Sequence, residues 1–266
     1  MNEATLEAEE AFHDEWAASI DLDSIDVRQA FEACTAPENR FISEEMGDLT
    51  GMRVLDLGCG AGEAAVYFAT RGAKAVASDL SDGMLQVALR LAEKNGVTIE
   101  TSKSSADQIN FPDNTFDIVY AANLLHHVDT EKCLAEIHRV LKPGGRVFSW
   151  DPLAHNPVIN VYRRMAMGVR TEDEHPLRMK DLQLFGKYFK SVKSKGTWLA
   201  SLWIFLRFYF IERVHPNSER YWKKVIIEAD RLKPKYERLE KIDKMILRVM
   251  PWMTRYCWNI TVVGEK

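Results

Sequence analysis

Only four cysteines occur in 266 residues, and Cys34, Cys59, Cys133 and Cys257 are too scattered to form a Cys-x-x-Cys pair. That excludes the common zinc and thiol-redox spacings and fits a reducing cytoplasm. No metal site is expected. The most apolar stretch, residues 198–211, is shorter than the roughly twenty residues that cross a bilayer, and Arg207 interrupts it. The start, Met1-Asn2-Glu3-Ala4, is acidic and leads into no apolar core, so a secretory signal is not expected. Clusters of Arg and Lys interleaved with aromatics are missing and the formal net charge is −4, which argues against nucleic acid as a partner. No repeat or low-complexity tract is visible.

With 46% hydrophobic and 28% charged residues, the chain can bury a full core and suits one large domain with appendages. Its charge is unevenly placed. Residues 1–50 carry 2 Arg against 14 acids, and residues 151–256 carry 22 Lys and Arg against 12 acids, giving −12 and +10. Two explanations stay open: the ends pack together, or the basic one faces an anionic partner such as a membrane.

The most informative segment is Arg53-Val-Leu-Asp-Leu-Gly-Cys-Gly-Ala-Gly62, a buried-strand run that breaks into Gly58, Gly60 and Gly62 before a helical stretch. Such a turn lets backbone approach a ligand without Cβ interference and is expected to present open amides at a helix start. A dinucleotide fingerprint requires its third glycine at position 63, which is Glu63 here. A carboxylate there would face a pyrophosphate. From Gly51 to Pro152 strand and helix patterns alternate, predicting a parallel sheet covered on both faces. Strands are expected at 53–58, 74–79, 98–102, 116–121 and 145–150, with helices near 62–71, 82–95 and 130–141. Two later strands are expected at 189–196 and 258–263.

The Asp-Leu-Gly-Cys-Gly-x-Gly string resembles the first motif of class I S-adenosylmethionine-dependent methyltransferases of the small-molecule type. Phe116-Asp-Ile-Val119 and Leu141-Lys-Pro-Gly-Gly145 follow in that family's order. The resemblance implies an α/β fold with a seven-stranded Rossmann-like sheet, six strands parallel and one antiparallel. The family has N-terminal helices of this kind and normally joins strands 6 and 7 by a short hairpin, which in this chain is interrupted by a long helical insert expected to roof the site. The corresponding division is a cap over 1–50, a cofactor-binding domain over 51–198 and 257–266, and a lid over 199–256. S-adenosylmethionine is the implied cofactor. Gly58, Cys59, Gly60 and Gly62 would cradle its amino-acid end beside Asp56. Asp79, at 79 − 58 = 21 positions after the first glycine, would hold the ribose, as acids at second-strand ends do in such folds. Leu80 and Met84 would flank adenine. Family members of this type usually carry an Asp-Ala pair after the third strand, whereas this chain has Ser105-Ala106, so Ser105 or a backbone carbonyl would meet the adenine amino group.

Asn123-Leu-Leu-His-His127 follows the fourth strand, at the edge where the sulfonium would lie. Methyl transfer is an in-line displacement from an activated donor, so a base is needed chiefly when the acceptor must lose a proton. His127 and His155 are the candidates, and a purely loop-holding role for either remains open. Residues 198–211 allow three readings: a buried lid helix, an interfacial helix, or the wall of an apolar tunnel. Together these features suggest methyl transfer to a small hydrophobic or lipid-like acceptor by a cytoplasmic enzyme with peripheral membrane contact. The alternatives are an NAD(P)-dependent oxidoreductase and a non-catalytic ligand-binding module on the same fold.

Overall fold

The computed structural model describes residues 3–166 and 175–266. Seven strands form one sheet: β1 (Arg53–Leu57), β2 (Lys74–Asp79), β3 (Glu100–Lys103), β4 (Phe116–Ala122), β5 (Leu141–Pro152), β6 (Lys190–Thr197) and β7 (Asn259–Glu265). Their order is β3-β2-β1-β4-β5-β7-β6. The pairings from β3 to β5 are all parallel, while β7 runs antiparallel to both β5 and β6. Six strands therefore share one direction, as expected. The order reverses between β1 and β4, and the carboxyl ends there open a crevice suited to a ligand.

Side-chain alternation decides which face each strand residue serves. Val54, Ile118 and Phe148 enter one apolar cluster, whereas Leu55, Val119 and Val147 enter another on the opposite face. Helices α4 (Glu63–Thr70) and α5 (Asp82–Lys94) contribute to the first, and α6 (Thr130–Val140) to the second. β5 starts four residues earlier than its turn chemistry suggests. Leu141 already pairs with Phe116, and the register then shifts before Ile118 meets Arg146. The Pro143-Gly144 punctuation thus forms an irregularity within a strand rather than a loop before it.

Before the sheet come α1 (Glu3–Ala18), α2 (Val27–Glu32) and α3 (Pro37–Met46), and after β5 come α7 (Pro157–Met165) and α8 (Leu182–Tyr188). Between β6 and β7 lie α9 (Trp203–Phe210), α10 (Tyr221–Ile227) and α11 (Ala229–Val249). The insert has its own apolar cluster, including Phe205, Phe208, Tyr221 and Tyr236, which joins Ile159 of α7. α1 docks on the start of α5, where Asp14 Oδ1 accepts hydrogen bonds from Ser81 Oγ and the Gly83 amide at 2.5 and 3.0 Å. The two oppositely charged ends of the chain do touch. Thr35 Oγ1 donates to the Val225 carbonyl at 2.7 Å, and Arg220 lies over the Trp16 ring. Residues 198–211 divide their apolar surface: Ile204, Phe205 and Phe208 are buried, while Trp203, Phe210 and Ile211 are 59%, 61% and 62% exposed.

Candidate active site

The glycine turn after β1 is the floor of the site. Gly58, Gly60 and Gly62 have φ of +69°, +51° and +81°, values that side chains rarely tolerate. Four of its amides, expected to be open, have protein acceptors. Those of Gly58 and Cys59 donate to the Ser78 carbonyl at 2.8 and 3.0 Å, that of Gly62 donates to the Cys59 carbonyl at 2.9 Å, and that of Gly60 donates to Asp79 Oδ2 at 2.9 Å. At the start of α4 the Ala65 amide is capped by Asp56 Oδ2 at 2.9 Å, with Glu63 close by. A pyrophosphate would find few donors and two acidic side chains there. A ligand ending in an ammonium group and a sugar finds acceptors instead. Space agrees with this reading: a Cβ on Gly60 would meet no atom within 4 Å and would project into the opening.

Above the turn lies a cavity of about 290 Å³. Gly58, Cys59, Gly60, Asp79, Leu80, Ser105, Ala106, Asn123 and His127 line it. Four other expected residues do not. Asp56 is buried beneath the turn on the Ala65 amide, and Gly62 touches α5, where a Cβ would lie 2.4 Å from that of Ala88. Met84 is fully buried with Ala17, Ala61 and Val87, because α5 turns that face toward α1 and away from the opening. His155 follows β5 but points off the wall, its Nε2 buried with no hydrogen-bond partner among the described residues.

Sequence reasoning predicted a cap and a lid but not most of the residues they bring to the upper wall. Glu9, Phe12, His13 and Trp16 of α1 line the cavity, as do Tyr162 and Arg163 of α7, Arg220 and Trp222 of the insert, and Trp258. The spacing of Glu9, His13 and Trp16 on one helix face was the available signal. Nothing local marks the insert residues, which arrive from more than a hundred positions downstream.

Electrostatics set the character of each end. Asp79 is 8% exposed; burial raises its pKa, opposed by amide hydrogen bonds from Ser81 and Gly60 and by nearby His13. Glu9 and His13 form an i,i+4 ion pair at 3.4 Å. The His13 hydrogen bond holds the Glu9 carboxyl below its ordinary range against burial, helped by His127 and His126. Beside His127, the buried His126 Nδ1 lies 2.9 Å from Asp151 Oδ1, and the two imidazoles are 4.1 Å apart. Ser105 Oγ donates to Asp107 and accepts from the Asp107 amide at 3.4 Å, which leaves the hydroxyl one further acceptor site.

Asp56 gives a test that needs no ligand. Burial pushes its pKa up to about 8, against the Ala65 hydrogen bond, so the folded chain keeps a proton that the unfolded chain releases near pH 4. Stability tied to that proton is complete below about pH 4 and declines as pH climbs toward 8. Asp56→Asn, which keeps the acceptor, should flatten this decline by up to about 1 kcal/mol per pH unit between pH 5 and 7. Urea unfolding of both chains across that range measures it; parallel curves would refute the buried proton.

Comparison with known proteins bears on the central part of the sheet. The methyltransferase domain family matches residues 55–149, which run from β1 almost to the end of β5. The sterol 24-C-methyltransferase erg6 of Aspergillus fumigatus is 34% identical over 167 residues, covering 59% of this chain and 44% of that protein. The demethylmenaquinone methyltransferase of Thermus thermophilus is 40% identical over 98 residues, covering 36% and 44%. The chain therefore spans less than half the length of these curated relatives. Phosphoethanolamine N-methyltransferase 2 of Haemonchus contortus, solved with S-adenosyl-L-methionine, shares the fold with a TM-score of 0.57 and 23% identity, covering 86% of this chain and 52% of that one. The methyltransferase-domain match lies over the very strands that build the cavity, so residues 55–149 form a methyltransferase domain of the class I S-adenosylmethionine-dependent type.

Proposed function

We propose that the chain transfers a methyl group from S-adenosylmethionine to a small hydrophobic or lipid-like acceptor. One observation carries the acceptor class: beyond the glycine turn, Phe12, Leu124, Ile159, Tyr162, Trp222 and Trp258 give the cavity a broad apolar and aromatic side, set among polar residues that include Glu9, His13, Arg163 and Arg220. An apolar and aromatic side beside placed polar groups suits a guest with an apolar body. The sterol and quinone-precursor names of the two relatives support this choice. In this reading Asp79 holds the ribose hydroxyls, Leu80 flanks adenine and Ser105 accepts from its amino group. Asp56 works from below, fixing the start of α4 under the methionine end. When bound, the cofactor supplies a methyl group on a positively charged sulfur. The chain's own work is then positioning, exclusion of water by the cap over 1–50 and the lid over 199–256, and removal of a proton where the acceptor has one to lose.

His127, on the cavity wall beside Asn123, is the proposed base. His127→Ala should lower kcat by about 10²-fold while leaving S-adenosylhomocysteine affinity within a few-fold. His155→Ala, altering a ring off the wall, should have the smaller effect. An unchanged kcat for His127→Ala would remove base catalysis by that residue.

Among the described residues, no helix is long and apolar enough to cross a membrane. Peripheral contact fits a different feature. Ile242, Met245 and Val249 expose a stripe on α11 that continues to Trp252, with exposures between 41% and 74%. The insert from 199 to 256 carries 13 Lys and Arg against 7 acids, a net of +6. A cytoplasmic enzyme taking its acceptor from an anionic lipid surface would use such a face. The test joins an acceptor screen, polar against apolar, with co-sedimentation on vesicles containing phosphatidylserine. Turnover confined to water-soluble polar acceptors would overturn the acceptor class. Calorimetry with S-adenosylhomocysteine and NADH separates this reading from an oxidoreductase, and methylated product separates it from a non-catalytic module.

A further inference from the structure

Four cations of the insert are withdrawn from full exposure: Arg207, Arg220, Lys223 and Lys224. Two are neutralised in the ordinary way. Arg207 pairs with Glu212 at 2.8 Å, and Lys224 pairs with Glu219 and Glu228 at 2.9 and 2.8 Å. Arg220 and Lys223 have no carboxylate at ion-pair distance among the described residues. Both face one indole instead: Arg220 Cζ and Lys223 Nζ stand 4.4 and 5.2 Å from the Trp16 ring centre. An aromatic face stabilises a cation, yet two half-buried cations on the same ring repel each other and lose hydration. Charge taken out of water in this way calls for a counter-charge.

The cavity's own carboxylates do not provide it. Glu9 is committed to His13, and Asp79 to the amides of Gly60 and Ser81. Glu63 is near enough for Lys223 to feel its charge but forms no ion pair with it. Trp16 packs against the cluster containing Ala61 of the glycine turn, and Arg220 itself lines the cavity. The unbalanced charge therefore stands at the junction of cradle, cap and insert.

We infer that Arg220, backed by Lys223 and seated on Trp16, is an anion clamp that the insert brings to the cavity, where it takes a carboxylate of a bound ligand. The inference rests on the methyltransferase reading. Two sources offer that chemistry: the amino-acid carboxylate of the cofactor, and an acidic head on an otherwise apolar acceptor. A planar guanidinium suits either, since it can grip a carboxylate through two parallel hydrogen bonds.

Calorimetry on the full chain distinguishes the sources. S-adenosylhomocysteine is compared with 5′-methylthioadenosine, which carries the nucleoside without the amino-acid end. If the clamp holds the cofactor, Arg220→Gln weakens S-adenosylhomocysteine by about 10- to 100-fold, as expected for losing a desolvated charge pair, and leaves methylthioadenosine within two-fold. If it holds the acceptor, both nucleosides keep their affinity, while decanoate binding to the S-adenosylhomocysteine-saturated chain falls by about tenfold or more and decanol binding does not. Arg220→Lys should restore part of either effect. Equal weakening of both nucleosides, or no change in the nucleosides and in decanoate, overturns the clamp. A wild-type chain that binds neither nucleoside overturns the methyltransferase reading itself.

Discussion

Replacing Asp79 by Ala should weaken S-adenosylhomocysteine binding by about 10²- to 10³-fold, from the loss of two charge-assisted hydrogen bonds to the ribose at roughly 1.5–3 kcal/mol each, partly offset by solvent. The carboxylate is preset for this role. Gly60 donates to Oδ2 at 2.9 Å and Ser81 to Oδ1 at 3.0 Å, so little rotamer freedom is lost when a ligand arrives. Asp79→Asn is more instructive. The amide keeps the shape but places N–H groups where either the Gly60 amide or a ribose hydroxyl needs an acceptor, and affinity should still fall by about tenfold or more. Calorimetry reads both variants, with thermal melting as the check on folding. Wild-type affinity in the Ala variant would mean that the sugar is held elsewhere and that the cofactor reading of the β2 end is mistaken.

The second large effect concerns stability. Gly62→Val should cost about 3 kcal/mol or more, combining a side chain forced into left-handed backbone with overpacking against α5. A Cβ there would sit 2.4 Å from Ala88 Cβ and 2.9 Å from its Cα. For a chain of this size the melting point should drop by about 6–12 °C. The backbone and packing costs can be separated. Ala88→Gly clears the contact without altering φ at position 62, so the Gly62→Ala/Ala88→Gly pair should be less unstable than the sum of its single variants. Strict additivity would show that backbone strain dominates. Gly62 thus holds α4 against α5 beneath the cavity.

Much of this was legible from local pattern. β1, β2 and β4 are short apolar runs with abrupt ends, and Asp79 and Asn123 fall at carboxyl edges because strand termination is written in adjacent residues. The glycine turn was visible for the same reason. What its amides do was not: they close onto Ser78 and Asp79, residues of the neighbouring strand whose register a one-dimensional reading cannot supply. Met84 shows a related failure. It lies one turn into a helix near the expected adenine, yet the docking of α1 turns its face into a core with Ala17. Of the two adjacent histidines the sequence reading favours His127 as base, and only the tertiary structure shows that the end of β5 delivers Asp151 to His126.

Sequence alone determined most of the strands and the acid at the end of β2, because strand period, turn chemistry and helix caps depend on neighbours a few residues apart; the reversed last strand came from the family resemblance. Tertiary structure alone decided who closes the cavity. Glu9, His13 and Trp16 precede the sheet, while Arg220, Trp222 and Trp258 follow β6, and no local propensity links them. They meet because each element buries its apolar face against the same sheet edge, and that juxtaposition leaves two cations on one indole.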